Sequence, residues 1–241
     1  MALMKILITN DDGINSPALP LLAKWAQKLG EVTVIAPKVE QSGKSQAIDF
    51  IHEIEVKKVE IAPDIWGYAV DSSPADCVRF GAHGLKEKYD LILSGINCGY
   101  NLGDDIVYSG TCGAIFEGAR IGIKGLAISA DRPRYLFAAA YLDGVWDYIV
   151  KHDLFSYNPL YNVNIPTAPK DFRITKQGGV FYTDEFVHKH DDMYMQEGDV
   201  WGSTGDDPNT DINAIKENVV SITPLIATRT EMTVFEKLKN L

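Results

Sequence analysis

The sequence predicts an α/β fold with a mostly parallel sheet covered by helices on both faces, and three observations carry that prediction. Short apolar runs at 4–9, 32–36, 91–94 and 125–129 alternate with stretches of helical spacing. Two pairs, Ser16-Pro17 and Ser73-Pro74, put a capping hydroxyl directly before a proline, which is how many helices begin. From about residue 155 the text turns richer in Pro, Asn, Tyr and Asp, which points to one domain with an appendage rather than two equal halves.

Taken in order, the run 4–9 reads as a buried strand, followed by an acidic loop and a helix opened by Ser16-Pro17. Ala18, Leu21, Leu22, Trp25 and Leu29 recur at helical spacing, Gly30 ends the helix, and 32–36 is a second strand, completing a βαβ unit. A polar loop covers 37–46, and the alternation over 47–58 predicts an extended strand beside 66–70. Ser73-Pro74 opens a helix through about Leu85, 91–94 is a strand, and a Gly/Asn-rich loop over 95–105 leads to a helix from about Gly110 to Ile121. After the strand 125–129, Pro133 is expected to start a long helix with Leu136, Ala140, Val145, Tyr148 and Ile149 among its apolar positions. The C-terminal part should contain an extended excursion over 184–202, a helix near 210–217, a strand over 219–223 and a last helix from about Thr230.

Composition narrows the function. The chain has 241 residues, 46% of them hydrophobic and 23% charged, with a net charge of −10 and no Lys/Arg-rich block. A surface that tracks nucleic-acid phosphates is therefore disfavoured, and any phosphate ligand must be small and locally neutralised. Cys77, Cys98 and Cys112 have no CxxC spacing, which suits reduced thiols better than a disulfide framework or a zinc site. The opening residues are too short for a signal-peptide apolar region and no stretch approaches a membrane span, so a cytoplasmic protein is expected.

Three loops carry the chemistry, because ligands of an open parallel sheet sit beyond the carboxyl ends of its strands. In the first, Asn10-Asp11-Asp12-Gly13, adjacent acids follow a strand directly and Gly13 lets the backbone leave the extended form so that both can reach one ion. Carboxylate oxygens suit hard cations such as Mg²⁺ and Mn²⁺, although an Asx-rich turn would explain the same four residues. In the second, Ser42 offers a hydroxyl and Gly43 allows close approach of backbone amides. The third carries Asn97 and Asn101 among three glycines, and Ser109-Gly110-Thr111 then opens a helix whose free amides suit an anion. His188 and His190 share a strand face and could in principle bind a transition metal, but a solvated or intersubunit strand explains them better.

The ordered set of these segments resembles the stationary-phase survival protein family SurE. The matching pieces are Thr9-Asn10-Asp11-Asp12-Gly13, Ala36-Pro37 with Ser42-Gly43, Pro74-Ala75-Asp76-Cys77-Val78, Ser94-Gly95-Ile96-Asn97 with Asn101 and Gly103, Tyr108-Ser109-Gly110-Thr111, Glu117-Gly118, Asn162-Val163-Asn164-Ile165-Pro166, and Ser221-Ile222-Thr223-Pro224-Leu225. The resemblance implies a three-layer Rossmann-like core over about 1–154, a C-terminal part over about 155–241 with an arm used in oligomerisation, and a homodimer or homotetramer. It implies metal-dependent hydrolysis of nucleoside 5′- and 3′-monophosphates, with short polyphosphate as a further substrate. One divalent cation per subunit, Mg²⁺, Mn²⁺ or Co²⁺, would be held by Asp11, Asp12, Ser42 and Asn97, with Asp11 or Asp12 also acting as base. Asn10, Gly43, Asn101, Ser109, Gly110 and Thr111 would surround the phosphate. Where the family usually has Gly-Thr before Pro-Ala-Asp-Cys-Val, this chain has Ser72-Ser73, a local departure.

Competing chemistries fit less well. An aspartyl-nucleophile phosphatase needs D-x-D-x-T, and alignment on Asp12 puts Asn10 at the nucleophile and Ile14 at the threonine. Neither a G-x-G-x-x-G after the first strand nor a G-x-x-x-x-G-K-[ST] is present, which argues against dinucleotide binding and an ATPase. The alternative from another class is a non-catalytic nucleotide sensor using the same metal loop.

Overall fold

A computed structural model describes residues 3–200 and 205–241. Strands β1 (Met4–Thr9), β2 (Gly30–Pro37), β3 (Val56–Ala62), β4 (Ile65–Val70), β5 (Leu91–Cys98), β6 (Lys124–Ala130), β7 (Leu160–Ile165), β8 (Asp171–Ile174) and β11 (Val219–Pro224) form one nine-stranded sheet. Its order is β3-β4-β2-β1-β5-β6-β7-β11-β8, parallel throughout except at the β3–β4 and β7–β11 pairs. The expected parallel α/β architecture is therefore present, and the sheet runs without a break from the core into the C-terminal part. Among the described residues, strands β9 (Tyr182–His190) and β10 (Met193–Val200) pair only with each other, as an antiparallel arm. That arm is the expected excursion; residues 201 and 202 of the expectation lie outside the described residues.

Helices cover both faces. On one, α1 (Ala18–Ala26) and α4 (Leu142–Lys151) pack Leu19, Leu22, Val145 and Ile149 onto Ile6, Ile8, Leu93 and Leu126. On the other, α2 (Pro74–Arg79) and α3 (Gly110–Arg120) pack Val78, Cys112 and Ile115 onto Leu7, Ile35 and Ile92. Alternation along each strand delivers one residue to each layer, so near-continuous apolar strands are required. Past α5 (Leu154–Tyr157), α6 (Asp211–Lys216) packs on the sheet, while α7 (Met232–Leu238) has no buried residue. No helix among the described residues is long and apolar enough to cross a membrane.

Three local expectations change. The strand expected over 47–58 begins only at Val56, because the Asp49 carboxylate accepts from the backbone amides of Ile51 and His52 and turns the chain. The long helix expected from Pro133 is instead a 3₁₀ segment over Arg132–Tyr141, non-helical at Arg134, followed by α4. Pro17 rather than Ser16 occupies the cap position of α1, without a side-chain cap bond, and the helix stops at Ala26. Ser73, by contrast, caps α2 by accepting from the Asp76 amide.

Candidate active site

From β1 the chain passes to β2, runs out to the edge strand β3 and turns back into β4, then crosses to β5 on the other flank of β1. The connections after β1 and β5 therefore diverge and open a crevice between their carboxyl ends. The Asn10 side chain shapes the first loop: its Nδ2 donates to the Gly13 carbonyl at 3.0 Å and its Oδ1 accepts from the Gly13 amide at 3.1 Å. Gly13 has φ +92°, and a Cβ there would sit 3.0 Å from the Val39 carbonyl carbon, so this loop lies directly against the loop that follows β2.

The turn splits the two acids. Asp11 points at α3, where Thr111 Oγ1 donates to Oδ1 at 2.7 Å and the Thr111 amide donates to Oδ2 at 3.2 Å. Helix α3 thus presents its positive end to a carboxylate. Gly110 makes the approach possible: a Cβ there would lie 2.9 Å from the Asp11 Cβ and 3.0 Å from Oδ2. Ser109 accepts from the Cys112 amide as the cap of α3. Asp12 points the other way, accepting from the Cys98 amide at the end of β5 at 3.1 Å.

The second loop is tied to the first, since the Gln41 amide donates to the Asp11 carbonyl at 2.7 Å. Its neighbour Ser42 is exposed and donates to Glu40 Oε1 at 2.7 Å, and Gly43, at φ +70°, has open space beside it. Asn97 is half-buried, its Nδ2 donating to the Gly99 carbonyl at 2.9 Å, and it immediately precedes the amide that binds Asp12. Asn101 donates its side-chain amide to Ser129 Oγ at 2.8 Å, while its backbone carbonyl receives the amides of Asn162 and Asn164.

Electrostatics make the acid pair a poor resting place for charge. Burial raises the Asp11 carboxyl, with bonds from Thr111 opposing it. Burial and then the charge of Asp11 push Asp12 up to about 6, with Glu40 adding to the rise and Arg132 opposing it. A buried and a half-buried acid in one crevice, with neutral amides and hydroxyls as their hydrogen-bond donors, form a donor set suited to a hard divalent cation. Among the described residues no three His, Cys, Asp or Glu side chains gather as a metal cluster, so further donors to such an ion would be neutral oxygens.

Other motif residues act as braces. Asp76 accepts from Ser72 Oγ at 2.6 Å and from the Asp49 amide at 2.7 Å, while Ser73 donates to the Ala47 carbonyl. Glu117 is buried and accepts from Gln46 Nε2 and an Arg79 guanidinium nitrogen, both at 2.9 Å. Together they fix residues 46–49 and so anchor the far end of the second loop. The family departure Ser72-Ser73 thus keeps a hydroxyl, at Ser73, for the cap and adds one, at Ser72, for Asp76. Sequence reasoning missed Glu40, Arg132 and the clamp of Asn162 and Asn164. The last had a usable signal, because two amides at i and i+2 inside an apolar strand share a face and need buried partners.

Fold and crevice define an open-sheet α/β protein with an acidic, oxygen-lined site at its topological switch point. The profile of the family described as Survival protein SurE matches residues 6–184. The 5'-nucleotidase SurE of Thermosipho melanesiensis is 38% identical over 237 residues, covering 92% of this chain and 91% of the relative. That of Geotalea uraniireducens is 39% identical over 234 residues, covering 92% of each. The crystal structure of the SurE protein from Aquifex aeolicus superposes with a TM-score of 0.81 at 31% identity, covering 98% of both chains. The chain belongs to the SurE family, as the ordered motifs had implied.

Proposed function

We propose that this protein is a divalent-metal-dependent 5′-nucleotidase that hydrolyses nucleoside 5′-monophosphates to nucleoside and inorganic phosphate. The observation that carries the reading is the divided acid pair: Asp11 against the N-terminus of α3, and Asp12 against the end of β5. The relatives bearing the name 5'-nucleotidase SurE support the substrate class. Nucleoside 3′-monophosphates and short polyphosphate are further substrates in this proposal.

Asp11, Asp12, Asn97 and Ser42 would hold one Mg²⁺, Mn²⁺ or Co²⁺ per subunit. A bound ion there supplies charge neutralisation at a phosphoryl oxygen and a more acidic water. Thr111 holds both Asp11 oxygens, whereas Asp12 has one oxygen taken by the Cys98 amide and the other available, so Asp12 is assigned as the base that receives the water's proton. Gly110, Thr111 and Ser109 at the start of α3, with Gly43 across the crevice, are assigned to the phosphate. Asn10 and Asn101 shape its walls, Asn10 through the first turn and Asn101 through its bond to Ser129. Phosphoryl transfer depends chiefly on positioning and charge stabilisation, which such a site supplies without a covalent nucleophile.

The arm and α7 expose Phe186, Tyr194, Met195, Phe235 and Leu238, which supports a homodimer or homotetramer, testable by mass in solution. The function is tested by phosphate release from AMP, GMP and other monophosphates with Mg²⁺, Mn²⁺, Co²⁺ or chelator. Metal-dependent release abolished by chelator is expected. Nucleotide binding without turnover would instead favour the sensor.

A further inference from the structure

The crevice carries more negative charge than one divalent ion can offset. Glu40 stands in the loop tied to the same rim, its carboxylate accepting from Ser42 Oγ while the adjoining Gln41 amide donates to the Asp11 carbonyl. Three carboxylates outweigh a doubly charged cation before a phosphate monoester, itself about doubly charged near neutral pH, arrives. A cationic side chain facing the same space would offset the remainder, and three of the chain's cations are already paired. Lys38, leaving β2 at this rim, is held by Glu55 at 3.1 Å and Asp71 at 3.0 Å. Arg79 and Arg120 are held by Glu117.

Arg132 is different. Strand β6 ends beside the site, with Ala130 opposite Cys98 in register and its carbonyl accepting from the Gly99 amide at 2.9 Å. Two residues on, the Arg132 carbonyl lies 3.7 Å from the Cys98 Sγ, and the Cys98 amide is the group bound to Asp12. The Arg132 side chain is exposed and makes no ion pair among the described residues, and its backbone lies against the strand end that binds Asp12. Its backbone thus lies beside the Cys98 segment that binds Asp12, whereas the start of α3 binds Asp11. We propose that the Arg132 guanidinium binds the substrate's phosphoryl group, donating to non-bridging oxygens from the flank opposite α3. A planar fork of donors matches phosphate in a way that an ammonium does not.

This assignment rests on the nucleotidase reading, and the test separates the two. Wild type, Arg132→Ala and Arg132→Lys are compared by calorimetric binding of Mn²⁺ alone, by binding of inorganic phosphate to the Mn²⁺-loaded protein, and by AMP hydrolysis at saturating Mn²⁺. Arg132→Ala is expected to weaken phosphate binding and lower kcat/KM about 10- to 100-fold, with Mn²⁺ affinity unchanged or higher. Arg132→Lys should recover only part of the phosphate affinity. Tighter Mn²⁺ binding with unchanged phosphate binding and kcat/KM would overturn the proposal, because Arg132 would then merely offset Asp12. A wild-type protein that binds phosphate but never hydrolyses AMP would remove the nucleotidase reading, and the variants' phosphate affinities would still decide the role of Arg132.

Discussion

Of the four Asp-Asp dipeptides in the chain, the one that follows β1 and the one at the tip of the arm have opposite physical fates. Asp11 is buried and its groups are bound by residues 41 and 111, while Asp12 is bound by residue 98. Asp191 and Asp192 form the exposed turn between β9 and β10, with Asp191 at φ +47°. His188 beside them bonds the Asp191 carbonyl and packs its ring against Tyr194, contacts made wholly within the arm. Residue type is the same; the number of independent chain segments meeting at each pair is not. Burial shared among distant segments turns a pair of acids into a site, because the repulsion it creates is relieved by a bound cation.

The sharpest break of that contrast is Asp11→Asn, which keeps the shape and removes one charge. Turnover should fall by about 10³-fold or more while the melting curve stays cooperative, as measured by phosphate release and circular dichroism. Near-normal turnover at high Mn²⁺ would return Asp11 to the status of a turn residue. Next comes Gly110→Ala, whose new methyl collides with Asp11 in a buried place; displacement of the carboxylate should lower kcat/KM about 10²-fold.

A smaller effect tests the electrostatics without substrate. Asp12 has its carboxyl raised from 3.8 to about 6 in the folded protein, so the fold binds that proton more tightly than the unfolded chain does. Its stabilising contribution is full below about 3.8 and disappears as pH rises through about 6. Chelator-treated protein should therefore melt lower at pH 7 than at pH 5, by on the order of 2 °C, and Asp12→Asn should narrow the gap. An equal gap in the variant would assign the pH dependence elsewhere. Least of all, Asp191→Asn and Asp192→Asn should change stability by under about 0.5 kcal/mol in urea titrations and leave turnover unaltered. A large loss there would mean that the arm tip is as deeply engaged as the crevice.

These contrasts also show what could be read in advance. The core strands and α3 were legible because hydrophobic spacing and the Ser109 cap agree with their final packing. Asp11, Asp12 and the Gly110-Thr111 turn were legible as parts of a candidate site because glycine and acid coincide beside strand ends. The meeting of Asp11 with Thr111 was not, since it joins residues 100 positions apart. Nor was the irregular course of 47–55, where side-chain bonds from Asp49 and Asp76 override an alternating pattern. Arg132 escaped notice because it falls between the expected strand 125–129 and the helix expected from Pro133, and its approach to Cys98 joins residues distant in sequence.

Strand β11 is inserted between β7 and β8, although it is the last strand in the chain. During synthesis the open flank of β7 must wait for residues beyond 218 to emerge, with β8 and the arm already made. Until then an unpaired row of backbone donors and acceptors faces the cell, a template for adhesion between nascent chains. Premature termination just before Val219 should accordingly yield insoluble protein, even though every residue lining the crevice would have been translated.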